Sequence, residues 1–174
     1  TLTVNTGDTR TIDTSRTLTN TGATDVNNDG AINGAGTLQF TSASGGPDTD
    51  ANSTGTYSAT TRYNATGGNI ASTTFDARTY SGRVELYQDN TTTTNRTVTP
   101  VTDGTYTLSG SSSHFYLIND DAGQTLTLSG ASASAIFTIG GNLDYTGGGA
   151  SSEIIQSGND IWTVTGNIDF TGGT

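Results

Sequence analysis

The chain lacks several residue types on which common functional sites depend. Its 174 residues include no Cys and no Met, and only one His and one Trp. Without Cys the chain cannot form a disulfide, a thiolate zinc site or a thiol nucleophile. One His cannot supply a histidine metal cluster or a pair of catalytic histidines within one chain. The absences therefore exclude thiol chemistry and histidine-based or thiolate metal chemistry.

Positive charge is scarce, and long apolar runs are missing. There is no Lys, and 6 Arg face 16 acidic residues, which gives a formal net charge of −10. A surface of this sign repels the phosphates of nucleic acid, so no nucleic-acid partner is expected. No run of about 18 apolar residues occurs, so no membrane-spanning helix is predicted.

Small polar residues make up most of what is present. Thr (38), Gly (24), Ser (17) and Asn (14) account for 93 of the 174 residues, whereas only 30% are hydrophobic. Thr favours strands, and Gly and Asn favour tight turns, while strong helix formers are few. An acidic composition without Lys and rich in Thr, Gly and Asn is typical of exported proteins. An extracellular or cell-surface location is therefore predicted.

Apolar and polar residues alternate in short runs along the chain. Examples are 37–40 (TLQF), 105–108 (TYTL) and 136–139 (IFTI), and turn-forming residues lie between such runs. Period-2 alternation indicates strands with one buried face, and a disordered chain has no reason to show it. The prediction is an all-β protein built from short strands.

Internal repeats refine this prediction. Residues 141–148 (GNLDYTGG) return as 166–173 (GNIDFTGG), and residues 106–110 (YTLSG) return as 126–130 (LTLSG). Offsets of about 20–25 residues are typical of solenoids, in which each repeat forms one coil. A parallel β-solenoid of about seven or eight coils is predicted. Corresponding residues of successive coils should then stack, namely Leu143 on Ile168, Tyr145 on Phe170, Asp144 on Asp169 and Asn142 on Asn167.

The predicted organisation is a single β domain over 1–174. Residues 1–100 form an irregular part with loop excursions, and residues 101–174 form regular coils of about 20–25 residues. The alternative is an antiparallel β-sandwich that polymerises by donating a strand, for which residues 1–4 (TLTV) would serve. That alternative leaves the repeat of 141–148 unexplained.

The repeated phrase and the Thr/Gly-rich strands resemble a known class of protein. The pattern G-N-[LI]-D-[YF]-T-G-G, with strands such as 125–130 (TLTLSG), resembles repetitive β-helix surface proteins of bacteria. These are filamentous-haemagglutinin-like or autotransporter-passenger-like exoproteins, and the resemblance covers about residues 100–174. It implies a role as adhesin, stalk or fibre, and it carries no catalytic motif.

One segment matches the start of a calcium loop. In 25–33 (DVNNDGAIN), oxygen ligands fall at alternate positions and a Gly follows the third of them, as a sharp turn requires. The twelfth position is Gly36, where an acid is expected, so Asp48 or Asp50 would have to supply that ligand. The alternative is an ordinary turn. The predicted ligands are Asp25, Asn27, Asp29, the carbonyl of Ala31, and Asn33.

The remaining candidate residues favour simpler interpretations. The acids Asp120–Asp121 and the stacked Asp144 and Asp169 are more simply solvated than catalytic. His114 is expected at a strand edge, because neighbouring residues of a strand point to opposite faces and prevent a triad with Ser113. Trp162 is expected to close the interior stack, and the alternative is an exposed Trp that binds sugar. Four glycosylation sequons occur, at Asn52, Asn64, Asn90 and Asn95.

These observations predict a non-enzymatic structural protein. It would be a subunit or segment of an extracellular filament, sheath or surface fibre, because a solenoid end exposes unpaired backbone groups to a further coil. Its partner would be itself, as a head-to-tail homopolymer or a longer parent chain. The alternative is an adhesin module that binds surface glycan or another cell, and a polysaccharide-cleaving enzyme ranks third.

Overall fold

The computed structural model describes residues 2–47, 54–89, 94–101, 103–120, 122–129, 135–148 and 151–171. These residues form strands and turns with no helix, and thus none that is long and apolar enough to cross a membrane. The strands are β1 (Thr3–Val4), β2 (Thr9–Thr11), β3 (Thr17–Asn20), β4 (Asn27–Asn28), β5 (Ala31–Asn33), β6 (Thr37–Thr41), β7 (Thr56–Tyr57), β8 (Thr60–Asn64), β9 (Thr79–Tyr80), β10 (Val84–Gln88), β11 (Arg96–Val98), β12 (Thr105–Leu108), β13 (Phe115–Asn119), β14 (Thr125–Ser129), β15 (Ile136–Ile139), β16 (Leu143–Gly147), β17 (Glu153–Ser157), β18 (Ile161–Val164) and β19 (Ile168–Thr171).

All strand pairings among the described residues are parallel, and they define three faces. The faces are numbered in the order in which the chain visits them in each turn. The third face is one continuous sheet in the order β19-β16-β13-β10-β8-β6-β3. The second face carries β2, β5, β7, β9, β12, β15 and β18, and the first carries β1, β4, β11, β14 and β17. In the turn of the chain that contains β7 and β8, the described part of the first face carries only the bridging residue Pro47 in place of a strand. In the turn that contains β9 and β10, it carries only the bridging residue Ile70.

The chain therefore winds through seven coils of three short segments each, numbered coil 1 (β1–β3) to coil 7 (β17–β19). The parallel β-solenoid predicted from the repeat is confirmed. The antiparallel sandwich is wrong, because its strands would have to run in alternating directions.

Coil length varies along the third face. Thr17 pairs with Thr37, whereas Val84 pairs with Phe115, so the second of these coils is half as long again as the first. The strands keep similar lengths in the two cases, so the corners between strands absorb the difference. Insertions at corners leave the ladder of paired strands intact, which is how solenoids tolerate them.

The repeat of 141–148 at 166–173 spans one coil, as predicted. Leu143 pairs with Ile168, Asp144 with Asp169 and Tyr145 with Phe170. The repeat of 106–110 at 126–130 is not a coil. Its first copy lies in β12 on the second face and its second copy in β14 on the first face, so the two never pair. Alternating Thr and Leu marks a half-buried strand without specifying its face, and the prediction that these segments form successive coils is wrong.

Inward side chains form the core, and aromatic rings dominate its centre. Successive ring centroids lie 5.4 Å apart for Phe40 and Tyr63, 4.6 Å for Tyr63 and Phe75, and 4.5 Å for Phe75 and Tyr106. The column continues through Phe137, 4.6 Å from Tyr106. Aromatic rings packed at these distances, some stacked and some tilted, bury a large apolar area per residue. This explains how a chain with few hydrophobic residues sustains a core.

Candidate functional site

The two ends of the solenoid carry unpaired strand edges. Within the described residues, β1, β2 and β3 pair with coil 2 alone, and β17, β18 and β19 pair with coil 6 alone. Each end therefore presents backbone N–H and C=O groups on three faces with no strand beside them. Such edges are templates for pairing with another strand.

Exposed apolar side chains concentrate in the end coils, four of them in coil 7 and one in coil 1. The described residues include six large hydrophobic side chains that are exposed, and five of them belong to coil 1 or coil 7. Phe170 is the most exposed at 75%, although its ladder partner Tyr145 stacks on it with ring centroids 4.7 Å apart. The residues at the ends are Leu18, Ile155, Ile161, Ile168 and Phe170.

Trp162 ends the aromatic column at coil 7. Its ring stacks on Phe137 with centroids 4.1 Å apart and planes 9° apart, and it meets Phe115 edge-on at 5.5 Å. The prediction that Trp162 closes the interior stack is confirmed. No ring among the described residues lies against its other face, so coil 7 ends in an apolar aromatic surface.

The coil 1 end has a different character. Arg10 pairs with Ile32, which is fully buried, so Arg10 occupies an inward position of the second face. It is exposed there because no coil precedes it among the described residues. On the third face Leu18 pairs with buried Leu38 and is 40% exposed. One end therefore offers a cation and a leucine, and the other offers aromatic and aliphatic surface.

Acidic groups surround the coil 7 end. Asp169 stacks on Asp144, as predicted, and Asn142 donates an amide hydrogen bond of 3.4 Å to its carboxylate. The Asp160 carboxylate accepts a 3.0 Å hydrogen bond from the N–H of Ala135. Burial raises the pKa of Asp160 above its ordinary value, although this hydrogen bond lowers it.

The predicted calcium ligands lie along two strands and the corner between them. Asp25 and Asn27 lie at the first face, Asp29 lies at the corner, and Ala31 and Asn33 belong to β5 on the second face. They are alternate positions of an extended chain, and two of them already bind protein groups. The Asp25 carboxylate accepts the Gly46 N–H at 3.0 Å, and the Asn33 amide oxygen accepts the Thr11 hydroxyl at 2.9 Å.

Calcium binding stays a prediction. Asp48 and Asp50, the acids expected to complete the loop, lie outside the described residues. Among the described residues, no group of three His, Cys, Asp or Glu side chains is arranged to hold a metal ion. Asp25 instead lies close enough to Asp76 for its charge to act on it. Burial and this neighbouring carboxylate raise the pKa of Asp76 to about 6, against an opposing effect of Arg78.

The third face carries a cluster that sequence reasoning missed. Glu85 lies between two arginines, with Arg62 Nε 2.6 Å from one carboxylate oxygen and Arg83 Nε 2.6 Å from the other. The Arg62 guanidinium lies over Tyr87, 4.4 Å from the ring centroid, and that of Arg83 lies over Tyr116 at 3.5 Å. Arg83, Glu85 and Tyr87 lie at alternate positions of one segment, whereas Arg62 and Tyr116 are distant in the sequence and are brought to Glu85 only by the register.

The other candidates have structural partners. His114 Nδ1 accepts the backbone N–H of Asn142 at 2.9 Å, and the buried Ser113 hydroxyl donates to the Ser81 carbonyl at 2.9 Å. The sequon residues Asn64 and Asn95 accept hydrogen bonds from the N–H groups of Thr66 and Thr125. Asp121 and the sequons at Asn52 and Asn90 lie outside the described residues.

Comparison with known proteins returned no match. No family model, curated protein or solved structure matches the chain. The resemblance to bacterial β-helix exoproteins is therefore carried by the repeated phrase and its composition alone.

Proposed function

We propose that this chain is a non-enzymatic structural protein, a subunit or segment of an extracellular filament, sheath or surface fibre. The observation that carries the proposal is the state of the two ends. Each has three unpaired parallel edges, and together they hold five of the six exposed large hydrophobic side chains of the described residues. Strands that add to these edges satisfy the backbone and cover the apolar surface.

The geometry of the ends favours a linear assembly. All described strands run parallel, so the free edge of coil 7 and the free edge of coil 1 are opposite sides of the same ladder. A contact between opposite sides of identical units is head-to-tail and does not close on itself. It therefore propagates as a filament, and further coils of a longer parent chain would satisfy the same edges.

Light scattering and electron microscopy of the isolated chain test the proposal. Scattering should rise steeply above a threshold concentration, and images should show filaments one solenoid wide. A chain that stays monomeric at millimolar concentration would contradict assembly through its edges.

A proline in β19 supplies a sharper test. Asn167 accepts the Leu143 N–H at 2.9 Å, so the next residue, Ile168, points its own N–H toward the free edge. Ile168→Pro removes this donor without removing a bond to coil 6, and edge strands tolerate such prolines. It should abolish assembly while circular dichroism stays that of a folded β protein. The control is Ile168→Val, which keeps the N–H and should assemble normally.

An adhesin that binds surface glycan is the second candidate. It is favoured by the cluster on the third face, where Arg62 and Arg83 have side-chain exposures of 27% and 39%. Among the described residues their Nη atoms have no hydrogen-bond acceptor, so these donors are open to a ligand. Binding of the monomeric chain to a glycan array, lost in Arg83→Gln, would support this function over the structural one.

A further inference from the structure

The register of the second face can be followed from one end of the solenoid to the other. Its inward ladder begins with Arg10 paired to Ile32, which pairs with Tyr57. The Ser81 N–H donates to the Tyr57 carbonyl, the pattern that places Tyr80 beside Tyr57 in parallel strands. The ladder then runs through paired residues to its last member in coil 7, in the order Tyr80, Leu108, Ile139 and Val164.

Two further ladders run the same length. The outward ladder next to it begins at Thr9 and ends at Thr163, and six of its seven members are threonine: Thr9, Ala31, Thr56, Thr79, Thr107, Thr138 and Thr163. On the third face an inward ladder begins with Leu18 paired to Leu38 and ends with Ile168 paired to Leu143. A second copy added in register would continue each ladder, so that its first member meets the last.

Three arginines of this chain stack on aromatic rings of an adjacent coil, and each ring lies diagonally across from its arginine and not directly opposite it. Arg62 pairs with Glu85, yet its guanidinium covers Tyr87, two positions further along the same strand. Arg83 likewise covers Tyr116, whose own partner is Glu85. A third such contact places Arg78 over the Tyr57 ring, 4.3 Å from its centroid. A guanidinium over an aromatic face is attractive, and Trp is the best partner.

Arg10 has no such contact within its own chain. The described residues give its guanidinium no ring, carboxylate or hydrogen-bond acceptor, although it occupies an inward position. At the opposite end, Trp162 and Val164 are the inward residues of β18, and no aromatic ring among the described residues lies against the outer face of the Trp162 indole. In register, Trp162 would also lie diagonally across from Arg10, in the preceding coil and two positions before Val164, whereas Tyr87 lies in the following coil and two positions after Glu85. Within the part of the chain that the structure describes, the coil 1 end thus has a guanidinium without an aromatic partner, and the coil 7 end has an indole without a cation.

We propose that copies of this chain associate head-to-tail in the register of the solenoid, with Arg10 of one copy packed on Val164 and stacked over Trp162 of the next. The proposal rests on the proposed function and specifies its contact. Leu18 then packs on Ile168, so exposed apolar groups on both ends are buried together. In this register β2 pairs with β18, and Thr9 extends the threonine ladder from Thr163.

Cysteine crosslinking tests the register, since the chain has no native Cys. Outward residues paired in parallel strands have Cα atoms about 4.8 Å apart, within the range that a disulfide spans. The variant with Thr9→Cys and Thr163→Cys should therefore form a ladder of covalent multimers on mild oxidation. The control, Thr9→Cys with Thr138→Cys, places the second thiol one coil further away and should give no ladder.

The outcomes separate the register from the function. Filaments without crosslinks in the first variant, or with equal crosslinks in both, overturn the register and leave the structural function standing. Absence of any association by the unmodified chain removes the structural function itself.

A substitution pair tests the stacking contact. Arg10→Gln should raise the threshold concentration for assembly by at least about two- to fivefold, which is the strength of a cation–π contact even where it stays exposed. Arg16→Gln removes the same charge from the same end, outside the strands and off the inward ladder, and should leave the threshold unchanged. Equal effects of the two would mean that net charge alone matters, and would overturn the contact between Arg10 and Trp162.

Discussion

At the scale of single residues, charge burial is the least expected feature of this chain. Glu85 is only 4% exposed in its side chain, on the outward side of a sheet in a protein with few cations. Burying a carboxylate costs folding free energy unless the carboxylate is paired. Two of the six arginines form ion pairs with Glu85. Their stacking on Tyr87 and Tyr116 fixes both guanidiniums in place.

Glu85→Gln should therefore destabilise the protein substantially. The neutral amide leaves Arg62 and Arg83 as neighbouring like charges, and a loss of about 2–3 kcal/mol in unfolding free energy is expected. Urea denaturation measures it. The matched variant Glu153→Gln alters an exposed glutamate and should change stability by less than about 0.5 kcal/mol. Similar losses in the two variants would show that the Glu85 ion pairs contribute nothing.

Asp76 should make stability depend on pH. Burial raises its pKa to about 6 in the folded chain, above the ordinary value of 3.8, so the folded state binds the proton more tightly. The contribution of the protonated Asp76 to folding stability is fully present below pH 3.8 and is lost as pH rises through 6. Asp76→Asn should thus flatten the fall in stability between these values, with a gain on the order of 1 kcal/mol at pH 7 after allowance for partial exposure.

Thermal melts of the Asp76→Asn variant across this pH range check the prediction. Asp13→Asn, at an exposed turn, removes a carboxylate of the same kind and is the control for the loss of one negative charge. If the unmodified chain and the Asp76→Asn variant show the same slope, the carboxyl of Asp76 is not the group responsible.

At the scale of elements, the corners decide where strands can follow one another. Gly34 follows β5 with φ of +104°, and a Cβ there would lie 2.2 Å from the carbonyl oxygen of Ile12 in coil 1. Only glycine fits such a close approach of two backbones. Corners of this kind let each coil stack directly on the previous one.

The corner between β4 and β5 carries the calcium prediction. If Asp25, Asn27 and Asp29 hold a calcium ion, the melting temperature should rise with calcium concentration and fall with chelator. Asp29→Asn should then reduce the response. Identical melting curves with calcium and with chelator, over a wide range of concentrations, would leave this segment as a turn only.

At the scale of the whole molecule, position along the axis governs how much a residue contributes. A solenoid is stabilised by contacts between neighbouring coils, so an inner coil has two neighbours and an end coil has one. Phe137 is fully buried in the column between Tyr106 and Trp162, whereas Phe170 in coil 7 is 75% exposed.

The same substitution should therefore have different consequences at these two places. Phe137→Ala should cost about 3–5 kcal/mol of unfolding free energy, and Phe170→Ala less than about 1 kcal/mol. Phe170→Ala should instead weaken assembly, because it removes apolar surface from the end. Urea denaturation of the monomer and light scattering at high concentration measure the two effects. Comparable losses of stability would mean that the end of coil 7 is covered in solution.

The sequence by itself determined the class of fold and the direction of many side chains. Alternation of apolar and polar residues is a local property of a strand, and the close repeat of 141–148 at 166–173 paired residues that stack one coil apart. The absence of Cys and Lys likewise set limits on chemistry that no folding could change.

Only the tertiary structure decided which faces the strands occupy and which distant groups meet. Coils of unequal length bring Arg62 beside Glu85 and bring Asp25 near enough to affect the pKa of Asp76, and no fixed period in the sequence predicts these placements. For the same reason, the similarity of 106–110 to 126–130 does not mark successive coils, because the two segments lie on different faces. The physical reason is that the backbone ladder fixes the spacing between coils, while the corners that set the register vary freely in length.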